Sequence, residues 1–137
     1  MMTYLTLTRT NIFKAAVVIG GIANLRCSGE ESKFKKRLYE QTSKQFKEND
    51  FKSSCEKRSI INFPEKLPQT TPLLIIHGNN DEQVTPNDSI DLSYKLLELK
   101  IPYRLVMLED GDHFLKSHRK EVDDMKRNWF EKYLKFE

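Results

Sequence analysis

A chain of 137 residues and 16.2 kDa can bury one modest core, and its 38% hydrophobic and 31% charged residues fit a globular domain that leans polar. This composition excludes collagen-like, mucin-like and fully disordered classes. The formal charge of +3 is small and scattered, with no arginine-rich patch interleaved with aromatics, so no nucleic-acid partner is expected.

The first ten residues read as a helix running to Asn11, and residues 13–19 as a short buried strand whose β-branched run ends in Gly20 and Gly21. Arg9 and Lys14 before the apolar stretch at 15–19 give it a superficial likeness to a signal peptide. The stretch is short, Asn11 and Asn24 dilute it, and Arg26 directly before Cys27 spoils a lipoprotein-like cleavage site, so no targeting segment is expected. No run approaches the ~20 apolar residues of a membrane span. Residues 29–59 turn to Lys, Glu, Gln and Ser, as expected of one or two exposed helices forming a polar, cap-like insertion with a solvated face. Cys27 and Cys55 are far apart, without C-x-x-C spacing or a neighbouring His cluster, so neither a zinc site nor a disulfide framework is implied and a reduced, cytoplasmic setting is expected.

Pro64, Pro68 and Pro72 punctuate the approach to Leu73, Leu74, Ile75 and Ile76, an apolar run of the kind buried on both faces of a parallel sheet. Thr85, Pro86 and Asp88 read as an N-cap, a first-turn proline and a capping-box acid for a helix that carries Leu92, Leu96 and Leu99 on one face and ends near residues 101–102. Residues 103–108 are the next strand. A last helix over 117–133 places Val122, Met125, Trp129 and Tyr133 on one side as core packing. Helices alternating with three strands predict an α/β fold with a parallel sheet and crossover helices.

In such a sheet the C-terminal strand ends share one edge, where α/β enzymes assemble their sites. Two polar loops open there, residues 77–82 and 109–113. With neighbouring strands roughly 4.8 Å apart, Asp81 and His113 can meet across those loops. A carboxylate holding one imidazole nitrogen fixes the tautomer and leaves the other free to exchange a proton with a nucleophile.

These residues carry a resemblance. T-P-L-L-I-I-H-G-N-N-D-E-Q-V-T-P, followed some thirty positions later by M-L-E-D-G-D-H, resembles the acid and histidine motifs of prolyl-oligopeptidase-like serine peptidases. L-T-R-T-N-I-F-K-A-A-V-V-I-G-G is similar to the segment just downstream of that family's nucleophile elbow, and H-R-K-E-V-D-D-M-K-R-N-W-F-E-K-Y-L to its closing helix. The resemblance implies the C-terminal portion of an α/β-hydrolase fold, with Asp81 as the acid, His113 as the catalytic histidine and Gly111 as the glycine before it. It also implies peptide-bond hydrolysis by acyl transfer through a serine ester, in short peptides, without a cofactor.

The family's G-x-S-x-G nucleophile motif does not occur in these residues, because every serine lacks the flanking glycines. The Ser, the strand leading to it and the oxyanion-hole donors are therefore expected in sequence outside them, and the chain is expected to be inactive alone. Phe114 stands where the family often has Gly. An alternative is a non-catalytic, hydrolase-like interaction module, or a subunit that docks onto an upstream Ser-bearing half. The strand at 15–19 would present an apolar sheet edge, so homo-oligomers or poor solubility are expected of the isolated chain.

By itself Asp81, after Asn79 and Asn80, reads as a turn former and His113 as a surface-loop histidine; the resemblance gives both a sharper role. Glu82 and Asp112 do not match the acid's position, and His77 and His118 read as structural or exposed. H-G-N-N-D with the later G-D-H resembles fragments of a metallophosphoesterase pattern, but in the wrong order and without its first Asp-x-His, so no metal site is expected. Cys27 lacks elbow glycines and is not expected to replace the nucleophile.

Overall fold

In the computed structural model, the structure describes residues 1–25, Arg37, Gln41, Lys44 and 48–134. Helix α1 (Met2–Leu7) leads into strand β1 (Ala16–Ile19); helix α2 (Glu48–Arg58) precedes strand β2 (Leu73–Gly78), helix α3 (Asn87–Glu98), strand β3 (Tyr103–Leu108) and helix α4 (Arg119–Leu134). The strands form one parallel sheet in the order β1-β2-β3, with Ala16 opposite Leu73 and Leu73 opposite Tyr103. This is the parallel α/β arrangement expected from the alternation of elements.

Strand β2 is buried along its whole length, which explains its unbroken apolar run. The period of two divides its side chains between two cores. Leu73 and Ile75 join Tyr4, Leu7, Leu92 and Leu96 on the face covered by α1 and α3. Leu74 and Ile76 face the other way, onto Val122 and Trp129 of α4, with Met125 and Tyr133 packed alongside. The helical stripe read from the sequence is thus core packing.

Several boundaries differ from the sequence reading. Helix α1 stops at Leu7 rather than Thr10, and β1 begins at Ala16 rather than at residue 13. The segment ahead of β1 is held by the Thr71 hydroxyl, which donates to the Phe13 carbonyl at 2.7 Å, instead of by the ladder. Helix α3 starts at Asn87 with Pro86, not Thr85, at its N-cap, and no side chain caps it. Asp88 is not a capping-box acid: its Oδ2 accepts the backbone N–H groups of Ala23 at 2.9 Å and Asn24 at 3.0 Å, tying the turn after β1 to the start of α3.

Most of the polar insertion expected over 29–59 lies outside the described residues. Its last part is helical, and its end is anchored rather than solvated. Cys55 and Ser59 are buried, and the Ser59 hydroxyl accepts the Leu25 amide at 2.8 Å while donating to the Cys55 carbonyl at 2.8 Å. Among the described residues, no helix is long and apolar enough to cross a membrane.

Candidate active site

The C-terminal ends of the three strands converge on one cluster. Strand β2 runs out through His77 and Gly78 into a turn that presents Asp81. Strand β3 runs out into a loop that turns in the left-handed region at Asp110 (φ 53°) and Leu115 (φ 49°), bringing His113 back over the sheet edge. Leu115 is buried against Leu74, Ile76 and Val122, which offsets the cost of that backbone conformation.

Two glycines let the loops touch. A Cβ on Gly78 would lie 2.1 Å from the Gly111 carbonyl oxygen and 2.4 Å from its carbon, and a Cβ on Gly111 would lie 2.8 Å from the Gly78 Cα. Backbone bonds close the contact: the Asn79 amide donates to the Leu108 carbonyl at 2.9 Å and the Asn80 amide to the Gly111 carbonyl at 3.1 Å. Gly20, at the end of β1, completes the floor. Its φ of +53° suits glycine, and a Cβ there would come within 3.3 Å of the His113 ring and 3.4 Å of Asp81 Oδ2.

On this scaffold His113 Nδ1 donates to Asp81 Oδ2 at 2.8 Å across 32 sequence positions. The two residues singled out from the sequence therefore meet as their loops allow. The Asp81 carboxylate is buried, whereas the His113 side chain keeps 25% exposure. Asp81 Oδ1 accepts the amides of Gln83 at 2.8 Å and Val84 at 2.9 Å, so the turn-forming role and the histidine contact coexist on different oxygens. A third partner was not legible as such: His77, wholly buried, brings Nε2 to 3.1 Å from the same Oδ2. The spacing of four between His77 and Asp81 was the available signal, but it does not by itself fold the turn back onto the ring.

Burial raises the Asp81 carboxyl, but the hydrogen bonds from His77, the Val84 amide, His113 and the Gln83 amide outweigh it and hold the group at about 2. The carboxylate is ionised whenever His113 bonds to it at neutral pH, and it fixes the Nδ1–H tautomer. Among the described residues, His113 Nε2 has no hydrogen-bond partner. His113 borders a cleft of about 500 Å³ whose lining includes Arg37, Asn80, Gln83, Asp112 and Phe114. Phe114, 60% exposed, stands edge-on to the imidazole with ring centres 5.2 Å apart.

Asp112 and His118 bond elsewhere. Asp112 Oδ1 accepts the Lys116 amide at 3.1 Å, and His118 bonds the Glu109 carbonyl at 2.9 Å and Glu121 at 3.3 Å. Among the described residues, no three His, Cys, Asp or Glu side chains gather as metal ligands would.

The model of the prolyl oligopeptidase family matches residues 1–137. The chain belongs to the prolyl oligopeptidase family. Solved structures agree on the fold. A puromycin-hydrolyzing peptidase of Mycobacterium tuberculosis superposes with a TM-score of 0.83 at 26% identity, covering 98% of this chain and 20% of that one. The acylaminoacyl peptidase of Pyrococcus horikoshii gives 0.82 at 22% identity over 99% of this chain and 23% of that one. Dipeptidyl peptidase 4 of Porphyromonas gingivalis gives 0.75 at 19% identity over 96% and 18%. The chain thus spans about a fifth of the length of these prolyl-oligopeptidase-fold structures. No curated protein matches its sequence.

Proposed function

We propose that residues 1–137 are part of an α/β-hydrolase catalytic domain and supply the acid and the base of a serine-type peptidase, with Asp81 as the acid and His113 as the base. The observation that carries this reading is the 2.8 Å bond from His113 Nδ1 to a buried, ionised Asp81, with Nε2 left open to a cleft. Family membership supports it.

The serine nucleophile comes from a segment other than these 137 residues, none of which lies in a G-x-S-x-G motif. In the reaction, His113 Nε2 takes the proton of that Ser hydroxyl as its oxygen bonds to the carbonyl carbon of a peptide. Asp81 stabilises the resulting imidazolium. The same proton passes to the leaving amine as the C–N bond breaks, leaving a serine ester, and the imidazole then activates a water that hydrolyses the ester. Short peptides are the substrate class that the family resemblance implies, and no cofactor enters the scheme. We infer a reduced, cytoplasmic setting from the sequence, where Cys27 and Cys55 lie far apart without C-x-x-C spacing.

The test is the hydrolysis of a chromogenic peptide amide by the assembled enzyme that carries both this chain and the Ser. Replacing His113→Ala lowers kcat by about 10⁶-fold. Folding stability falls only by what one charge-assisted bond to Asp81 contributes, about 1.5–3 kcal/mol, so the enzyme stays folded for the assay. Retained hydrolysis in a folded His113→Ala enzyme sinks the assignment.

A further inference from the structure

One oxygen of Asp81 serves two imidazoles, and only one of them reaches the cleft. His77, at the end of β2, is fully buried. Its Nε2 faces Asp81 Oδ2 at 3.1 Å and the Val84 carbonyl at 3.0 Å. A carboxylate and a carbonyl only accept, so Nε2 carries a proton in any charge state of the ring. Its Nδ1 lies 2.7 Å from Ser89 Oγ in the first turn of α3, and Ser89 too is fully buried. A continuous chain of bonds therefore runs from the start of α3 through Ser89, His77 and Asp81 to His113.

Were His77 only filling space between β2 and α3, an apolar side chain would serve without burying two ring nitrogens. Instead both nitrogens are bonded, and the bonds converge on the atom that receives the His113 proton. Among the described residues Asp81 accepts four donors, two on each oxygen: Gln83 and Val84 amides on Oδ1, His77 and His113 on Oδ2. The amides fix one oxygen but leave the carboxylate plane free to rock about it. The second fixed point on Oδ2 is His77.

We propose that His77 is a positioning residue: its Nε2–H pins Asp81 Oδ2 where that oxygen receives His113 Nδ1–H, and Ser89 and the Val84 carbonyl hold the His77 ring in the required orientation. The inference rests on the reading of Asp81 and His113 as acid and base, but its claim concerns the tautomer and orientation of His113 before any substrate binds.

The experiment is nitrogen NMR of the histidine rings in the assembled, substrate-free enzyme that contains this chain, which reads the Nδ1–H to Nε2–H ratio of His113 directly. In His77→Leu that ratio falls about tenfold, the scale of one charge-assisted bond, and the Asp81 titration moves up from about 2. His77→Gln, whose side-chain amide can donate from near the Nε2 position, restores most of the ratio. Ser89→Ala, which cuts only the far link, lowers it by a smaller factor. An unchanged ratio in folded His77→Leu overturns the proposal while leaving Asp81 and His113 as acid and base. Should His77→Leu fail to fold, an unchanged ratio in Ser89→Ala overturns it and a lowered one supports it. Conversely, an intact hydrolase after His113→Ala removes the functional reading without touching the positioning result.

Discussion

The two edges of this small sheet are built on opposite principles. Where β2 and β3 end, the Gly78 and Gly111 backbones touch, Asp81 accepts four donors among the described residues, and two residues in the β3 loop adopt left-handed backbone conformations to bring His113 into place. Along β1, which pairs among the described residues only with β2, Ile12 is 73% and Phe13 40% exposed, and a cavity of about 360 Å³ opens beside Leu7, Phe13, Ala16 and Val17. One region is over-determined and the other under-packed. The difference teaches that the order of the acid–histidine pair comes from local loop chemistry.

The strongest way to break that contrast is to separate the two loops. Gly78→Ala places a methyl against the Gly111 carbonyl, a backbone obstacle that cannot swing aside, and destabilises the chain by about 1–3 kcal/mol. Urea unfolding measures this, and a variant as stable as the parent would show that the loops are not in obligatory contact.

Acid sharpens the contrast next. Asp81 titrates at about 2 when folded against an ordinary 3.8, so on acidification the unfolded chain takes up that proton first. Its contribution to stability is complete above about pH 4 and is lost as the pH falls through 2. Thermal midpoints of the parent and Asp81→Asn should therefore converge between those values; a constant difference from pH 5 to 2 would contradict the hydrogen-bond scheme. The smallest effect belongs to the open edge. Ile12→Lys should change folding stability by no more than about 0.5 kcal/mol, yet reduce self-association of the isolated chain, as analytical ultracentrifugation would show. A large loss of stability there would mean that the edge is packed after all.

The sequence reading and the structure agree best where the physics is local. The unbroken run at Leu73–Ile76, the helical stripe of Val122, Met125, Trp129 and Tyr133, and the alternation of elements were enough for the parallel sheet. The meeting of Asp81 and His113 was legible because parallel strands put their C-terminal ends on one edge. What escaped depended on contacts distant in sequence. Asp88 looked like a capping acid but bonds amides 64 and 65 positions away, and Gly20 looked like a strand breaker but lies beneath the imidazole. His77 read as merely structural, since nothing in H-G-N-N-D reveals that the turn folds Asp81 back onto the ring.

The central claim, that Asp81 and His113 act as one unit, is tested most directly by a double-mutant cycle on hydrolysis in the assembled enzyme. Asp81→Asn alone should cost about 10⁴-fold in kcat by releasing the wrong tautomer. Combined with His113→Ala, it should cost no more than His113→Ala alone, because a base that is gone cannot be misaligned. Losses that multiply in the double variant would contradict the account and assign the two residues separate tasks.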